Sequence, residues 1–410
     1  MQRWCLQALA AIAWIVAAAN APAADSGQHM HHGSGIPAKA RAAPLAIGAA
    51  FSPNGVLWVV SVDAAGRLAT QTSRDEGRHW DAARVLAIGG DTVSADGENR
   101  PKIAFGRRGQ VVITYTRPLA QPYTGEIRLL RSIDGGRHFF GPVTVHRDRQ
   151  VITHRFESVA FDEHGRLHVF WIDKRDLEAH KQSAAAEGVE PSYRGAAVYR
   201  SESSDGGASF GPDIRVAEHS CECCRLALAT APGGGLAAMW RHVFEPNERD
   251  HAFMLIGGTA LAGGEPVRAT YDRWALDGCP HHGPGLAADA QGGYHAVWFG
   301  EREGQARVRY GRLAADGTPV GEPVALPDER AEHADVQSAG PHVAIVWRSF
   351  DGQETQWRAW VSHDHGAHFA LRELGHSADD NDHPRLAVRG QRIVALWRTT
   401  KGVQVERLTP

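Results

Sequence analysis

The stretch Ser-Ile-Asp-Gly-Gly-Arg-His-Phe at residues 132–139 recurs, with small changes, at three other places in the chain. The other copies begin at Ser73, Ser203 and Ser362, and all keep the serine, the aspartate, a glycine and a closing aromatic residue. Such a turn is self-contained: the aspartate accepts turn amides, the glycine takes a backbone conformation that other residues resist, and the ring packs beneath. We therefore predict four equivalent hairpins.

Another pattern also recurs along the chain. A segment of alternating apolar residues that ends near Trp or Tyr occurs seven times. The copies are residues 56–60, 111–115, 167–171, 236–240, 294–298, 342–347 and 392–397. Each follows a shorter apolar segment and precedes a further alternating one, which indicates antiparallel strands. A unit of three or four strands repeated every ~50 residues cannot bury both faces alone, whereas radial stacking of such units as propeller blades buries them.

The sequence therefore predicts an all-β protein, a β-propeller of four-stranded antiparallel blades. We predict seven blades; an irregular repeat around residues 236–268 would reduce the number to six. The last repeat, residues 384–410, has only three strands, and residues 39–44 are expected to supply the fourth and close the ring.

The four turns resemble the Asp-box, or BNR repeat, of the sialidase-like superfamily, and the resemblance covers residues 40–410. In that superfamily the Asp-box is a folding element at the blade periphery, so the resemblance implies architecture more than chemistry. True sialidases bind a carboxylate with three arginines and use a tyrosine nucleophile. This chain has Asn99-Arg100-Pro101-Lys102 where an aromatic-Arg-Ile-Pro signature is expected, and no tyrosine has an evident glutamate partner. We predict a propeller that is not a true sialidase; as an enzyme it would be a glycoside hydrolase of the exo-sialidase type.

The amino terminus has the pattern of a secretory signal. Arg3 precedes an apolar run over residues 6–19, and Ala21-Pro22-Ala23 offers a cleavage site. We predict a signal peptide at residues 1–23, a flexible histidine-containing tail at 24–38 and a single propeller domain at 39–410. The protein is then periplasmic or secreted, without a membrane segment after cleavage. A net charge of −3 argues against nucleic acid as a partner.

The strongest chemical signal is a pair of cysteine motifs one blade apart. Cys221-Glu222-Cys223-Cys224 and Cys279-Pro280-His281-His282 each precede the first strand of a blade, so we expect them to be neighbours. Thiolates with imidazoles suit Cu(I) or Zn(II). The predicted metal ligands are Cys221, Cys223, Cys224, Cys279, His281 and His282. Strand-like alternation would place Cys224 on the opposite side from Cys221 and Cys223.

Cys5 is expected to leave with the signal peptide, and other interpretations of the remaining four cysteines stay open at this stage. Export implies an oxidising compartment, where Cys279 paired with Cys223 or Cys224 would join two blades by a disulfide. A redox-active thiol pair is a further alternative, as is an assembly scaffold with purely structural disulfides. Free thiols would need protection from oxidation, which bound Cu(I) supplies. The tail sequence His29-Met30-His31-His32 suits a copper-capturing arm.

The same end of the channel is predicted to collect basic side chains, because first strands begin and second strands end on one face of a propeller. The candidate ligand-binding residues are Arg100, Arg155, Arg225, Arg241, Arg348, Arg398, His154, His333 and His383. Guanidinium groups bind carboxylates well. The candidate partners are an anionic small molecule, a glycan or another exported protein, and the three histidines could also reach a metal across the channel.

Overall fold

The computed structural model describes residues 44–190, 195–257 and 265–410. Seven antiparallel sheets follow one another along these residues, six with four strands and the last with three. Strands that are neighbours in a sheet are also consecutive in the chain. The chain is therefore a seven-bladed β-propeller, as predicted, and the six-bladed alternative is wrong. The predicted signal peptide, the histidine-containing tail and, apart from Pro44, the predicted closing strand lie outside the described residues.

The strands have the following bounds. Blades 1 to 3 contain β1 (Gly48–Phe51), β2 (Leu57–Val62), β3 (Leu68–Ser73), β4 (Arg84–Val85), β5 (Lys102–Phe105), β6 (Val111–Pro118), β7 (Gly125–Ser132), β8 (Phe140–Thr144), β9 (His154–Phe161), β10 (Leu167–Asp173), β11 (Ala196–Ser203) and β12 (Ile214–Ser220). Blades 4 and 5 contain β13 (Ala227–Thr230), β14 (Leu236–Arg241), β15 (His251–Ile256), β16 (Val267–Arg268), β17 (Gly285–Ala288), β18 (Tyr294–Arg302), β19 (Gln305–Leu313) and β20 (Pro319–Ala325). Blades 6 and 7 contain β21 (Glu332–Ala339), β22 (His342–Phe350), β23 (Thr355–Ser362), β24 (Ala370–Ser377), β25 (Arg385–Arg389), β26 (Arg392–Thr399) and β27 (Gly402–Arg407).

The hydrophobic core lies between neighbouring blades. The recurring aromatic residues of the second strands occupy it, and Trp171, Trp240, Trp347 and Trp397 are almost fully buried. Burying a large apolar side chain contributes roughly 1.5–3 kcal/mol. Blade 1 packs against blade 7 through an apolar cluster of their first two strands, so the ring closes without a covalent link between its ends.

The four repeated turns share one hydrogen-bond pattern. In each, the serine hydroxyl accepts the glycine amide at 2.7–2.9 Å, in the pairs Gly77 and Ser73, Gly136 and Ser132, Gly207 and Ser203, and Gly366 and Ser362. The aspartate accepts the amide four residues later at 2.9–3.0 Å, from His79, His138, Ser209 and His368. The predicted self-contained turn is therefore present four times.

Two adjacent glycines of the second turn allow a matched test of its packing. Gly135 and Gly136 both have positive φ, but a Cβ on Gly136 would lie 2.5 Å from the Trp58 ring, whereas one on Gly135 meets nothing within 4 Å. We expect Gly135→Ala to cost about 1–2 kcal/mol of unfolding free energy from backbone strain. Gly136→Ala should cost about 1–3 kcal/mol more from overpacking. Urea unfolding of both variants measures the difference, and equal midpoints would contradict the packing argument.

One helix interrupts the all-β pattern, and the sequence analysis did not predict it. Helix α1 (Arg175–Glu187) is inserted between the second and third strands of blade 3 and ends at Gly188, which has a φ of 71°. Only Leu177 and Ala184 of the helix are buried, and Lys174 at its amino end provides no side-chain cap. None of the described helical residues forms a helix long and apolar enough to cross a bilayer.

Candidate metal centre and channel mouth

The cysteine-rich segment connects β12, the outermost strand of blade 3, to β13, the first strand of blade 4. The Cys221 amide donates to the Arg241 carbonyl oxygen at 2.9 Å, which attaches the start of the segment to blade 4. The chain then bends at Glu222 and Cys223, and the Glu222 carboxylate pairs with Lys174 beside α1. This path carries the cysteines into the apolar core between blades 3 and 4.

The three sulfur atoms of the segment form a nearly equilateral triangle. The Sγ atoms of Cys221 and Cys223 are 3.9 Å apart, those of Cys223 and Cys224 are 3.9 Å apart, and those of Cys224 and Cys221 are 3.8 Å apart. The centre of such a triangle is about 2.2 Å from each sulfur, close to the ~2.3 Å of a metal–thiolate bond. All three side chains are buried. The spacing is therefore that of a three-thiolate metal site.

This convergence corrects one sequence-based expectation. Alternation along an extended segment would have placed Cys224 away from Cys221 and Cys223, but the three thiol groups lie within 4.8 Å of one another. The prediction was wrong because the segment is bent at Glu222 and Cys223 and pairs as a strand at neither residue. A bend returns consecutive side chains to one side, which the two-residue period of a strand cannot do.

Cys279 joins the group from the loop that precedes blade 5. Its Sγ lies 3.8 Å from the Cys221 Sγ, and its side chain is only partly buried. A disulfide needs sulfur atoms ~2.05 Å apart. All four cysteines within the described residues are free, so the structure gives the disulfide interpretation no support.

A buried arginine supplies positive charge beside the thiols. Arg241 is 1% exposed and forms no ion pair with a carboxylate in the described part of the chain. Its guanidinium donates instead to the carbonyl oxygens of Arg249 at 3.1 Å, His282 at 3.0 Å and Phe299 at 2.6 Å. A buried charge without a counter-charge is costly. The charge of Arg241 in turn favours the thiolate form of Cys221.

The pKa of one thiol is lowered and the pKa values of the other three are raised, as expected when four thiols share one negative charge. Hydrogen bonds from Cys223, Cys224 and Cys279, followed by the charge of Arg241, hold the pKa of Cys221 well below its ordinary value. Burial raises the pKa of Cys223, and the hydrogen bond to Cys221 raises that of Cys224. The hydrogen bond between Cys279 and Cys221 raises the pKa of Cys279 to about 12. These directions favour Cys221 as the first of the four thiols to ionise, with the other three donating to its sulfur.

The predicted histidine ligands lie elsewhere. His281 is exposed, with a φ of 54°. The His282 ring stacks on Phe299 at 4.3 Å and on His333 at 4.1 Å, and the His333 ring stacks on His383 at 3.3 Å. The sulfur cluster itself contains no histidine among the described residues. His282 therefore belongs to a different cluster from the cysteines that are close to it in the sequence.

Glu98 organises this second cluster, and the sequence analysis did not select it. One carboxylate oxygen accepts from Arg225 at 2.6 Å and lies 3.3 Å from the His333 Nδ1 and 3.5 Å from the His383 Nδ1. The other oxygen accepts the Gly283 amide at 3.0 Å. Burial opposes ionisation, but the charge of Arg225 and the histidine hydrogen bonds hold the pKa of Glu98 well below its ordinary value. The available signal was its position directly before Asn99-Arg100 at a blade entrance.

Most of the predicted ligand-binding arginines already have partners. Four form ion pairs: Arg100 with Asp382 at 2.8 Å, Arg155 with Asp96 at 2.9 Å, Arg225 with Glu98 at 2.6 Å and Arg348 with Glu332 at 2.9 Å. Arg398 donates to the Val62 carbonyl oxygen at 3.3 Å. A carboxylate ligand at this mouth would compete with these internal contacts.

His154 belongs to a separate group in blade 3. Its Nδ1 lies 3.1 Å from the Gly125 carbonyl oxygen, its Nε2 lies 3.2 Å from Asp148, and its ring stacks on His146 at 3.9 Å. These contacts satisfy both ring nitrogens. Of the three predicted ligand-binding histidines, the structure brings His333 and His383 together and leaves His154 apart from them.

Several solved structures share this fold. An ulvan lyase of polysaccharide lyase family 25 is 13% identical over 89% of this chain and 93% of its own, with a TM-score of 0.56. A second polysaccharide lyase is 10% identical over 95% and 94%, with a TM-score of 0.52. An α-L-arabinofuranosidase from Fusarium graminearum is 12% identical over 74% and 87%, with a TM-score of 0.50. At these identities the likeness concerns the fold alone. No protein-family model and no curated protein matches the sequence.

Proposed function

We propose that this protein is an exported β-propeller that binds one Cu(I) ion through the thiolates of Cys221, Cys223 and Cys224. The observation that carries the proposal is the sulfur triangle with sides of 3.8–3.9 Å, which matches three metal–thiolate bonds. Thiolates are soft ligands and select soft cations. In an oxidising compartment the bound ion would also keep the three thiols from forming disulfides.

Coordination number favours copper over zinc. Three sulfurs complete a trigonal Cu(I) site, and three thiolates, Arg241 and Cu(I) then sum to a single negative charge in the apolar core. Zinc is bound by four ligands in structural sites and would need to recruit Cys279. Cys279 lies close enough, 3.8 Å from Cys221, to serve as that fourth ligand.

Elemental analysis of the full-length protein, expressed with its amino-terminal segment and purified from the periplasm under reducing conditions, tests the proposal. We expect one copper per chain and four titratable thiols after the metal is removed. One zinc per chain would retain the site but replace the ion. Absence of stoichiometric metal, with all four cysteines found in disulfides by mass mapping, would overturn the proposal. Absence of the protein from the periplasmic fraction would refute export separately.

The number of protons released on metal binding should show how many sulfur atoms bind the ion. Metal binding displaces protons from ligands that are protonated beforehand. Cys221 has a lowered pKa, whereas Cys223 and Cys224 have raised pKa values. We therefore expect Cu(I) binding at pH 7 to release about two protons, and binding that includes Cys279 to release about three. Calorimetric titration in two buffers of different ionisation enthalpy measures this number. Release of fewer than one proton would contradict the assignment.

A second candidate is an acidic-glycan-binding or glycan-cleaving propeller. It is supported by the Asp-box-like turns and by the names of the two polysaccharide lyases that share the fold, one of which is described with a bound glucuronate-containing oligosaccharide. The channel-mouth arginines would then bind the carboxylate. Incubation with sialylated and uronic-acid-containing glycans tests this candidate, and failure to bind or cleave any of them would exclude it without affecting the metal proposal.

A further inference from the structure

The first strands of the blades surround an axial channel that contains a cavity of about 220 Å³. All seven blades contribute to its wall, from Ile47 just before β1 to Leu386 in β25. The charged residues that line it are Arg100, Lys102, Arg225, Arg385 and Asp335. The lining is therefore predominantly cationic.

Two of these cationic side chains already have ion-pair and hydrogen-bond partners in the channel wall. Arg100 binds both oxygens of Asp382, at 2.8 and 3.0 Å, and also donates to backbone carbonyl oxygens. Arg225 pairs with Glu98 and donates to the Ala334 carbonyl oxygen at 2.7 Å. Neither guanidinium needs a further partner.

Arg385 differs from both. Its side chain makes no hydrogen bond within the described chain, and its ion-pair contact with Asp335 is long, at 3.8 Å. The Asp335 carboxylate already accepts the amides of Val336 and Leu386, each at 3.1 Å. The Arg385 side chain is only 13% exposed, so its guanidinium donors are removed from bulk water and border the cavity.

Lys102 lines the same cavity, and its positive charge is also only weakly compensated by a carboxylate. Its ammonium donates to the Arg100 carbonyl oxygen at 2.8 Å and lies 3.6 Å from Glu157, whose oxygens also accept from Thr114 and Thr116. Burial lowers the pKa of Lys102 to about 8, and the charges of Arg100 and Arg385 act in the same direction. An anion bound on the channel axis would reduce the electrostatic repulsion among these cations.

We propose that the channel binds a small oxyanion, phosphate or sulfate, between Arg385 and Lys102. The planar guanidinium presents paired donors that match two oxygens of such an ion, and the ammonium contributes a point charge. The Gln337 side chain, which also lines the cavity, offers an amide donor. This site is independent of the sulfur cluster and of the proposed metal.

Calorimetric titration of the full chain with sodium sulfate and with sodium phosphate, at pH 7 and constant ionic strength, tests the proposal. We expect saturable binding of at least one of the two ions. Replacing Arg385 by Gln should weaken binding about tenfold or more, because charge-assisted donors are lost. Binding should also weaken as the pH rises above about 8, where Lys102 loses its proton.

Arg389→Gln is the matched control, because Arg389 lies on the same strand but donates to the Gly55 carbonyl oxygen and does not line the cavity. It should bind the anion as the unchanged protein does. If Arg385→Gln fails to fold, Arg385→Lys can replace it. Lysine retains the positive charge but lacks the paired guanidinium donors, so this variant should still weaken binding. Absence of binding to both ions, or equal affinities for the unchanged protein and a folded Arg385 variant, would overturn the proposal.

Discussion

Replacing Cys221 by serine is expected to abolish stoichiometric metal binding, lowering the affinity for Cu(I) by more than ~100-fold. Even residues that only orient a ligand are worth about 10–100-fold in affinity, and Cys221 is itself a ligand. Its sulfur contacts those of Cys223, Cys224 and Cys279 at 3.8–3.9 Å, and the charge of Arg241 contributes to its lowered pKa.

Two further variants make this result specific. Glu222→Gln changes the same bend but removes only the pair with Lys174, so it should retain full metal content. Cys279→Ser distinguishes copper from zinc. It should have little effect on the affinity for trigonal Cu(I) and should greatly lower the affinity for four-coordinate zinc. Competition titration with a chromogenic Cu(I) chelator gives the affinities. A Cys221→Ser protein that keeps its copper would exclude the sulfur triangle as the site.

Replacing Glu98 by glutamine is expected to lower the free energy of unfolding by about 3–5 kcal/mol, the usual result of removing one partner of a buried ion pair. Glu98 and Arg225 have side chains only 4% and 5% exposed. Glutamine has the same shape but no charge, so Arg225 would remain buried without a counter-charge. His333 and His383 would also lose a charged acceptor. Chemical denaturation at pH 7 measures the loss.

The pH dependence gives this prediction a second observable. The pKa of Glu98 is lowered on folding, so its contribution is complete above the unfolded-state value of ~4.3 and is lost as the pH falls through the folded-state value. The two proteins should therefore approach equal stability only in strong acid. Glu322→Gln is the control: Glu322 is 84% exposed beside Arg302, and such surface pairs contribute at most about 1 kcal/mol. Equal losses for both variants would contradict the role assigned to Glu98.

The blades were predictable because their determinants are local. Residues 111–115 and 167–171 were predicted as strands from alternation alone, and they lie in β6 and β10. Helix α1 was missed for a related reason. It has no side-chain cap and buries only Leu177 and Ala184, so its sequence lacks the apolar stripe that marks an amphipathic helix.

The sites were only partly predictable. The motif spacing correctly brought Cys221 and Cys279 together, because consecutive blades place equivalent strand entrances side by side. Strand alternation failed for Cys224, since a bend replaces the strand at that point. Glu98 could not be identified as a hub, because its partners lie 127 residues away at Arg225 and 235 away at His333.

The sequence by itself determined the repeating blade and its four self-contained turns. Each of these depends on residues within one repeat, where the period of the strand and the turn chemistry decide the conformation. Only the tertiary structure decided which groups touch: three sulfurs in a triangle, His282 in a separate stack, and arginines paired internally with carboxylates. The physical reason is that the histidine stack and the Arg100–Asp382 pair join different blades, so their distances are set by how the blades close around the axis. The sulfur triangle depends instead on a bend in one segment, which the period of a strand does not predict.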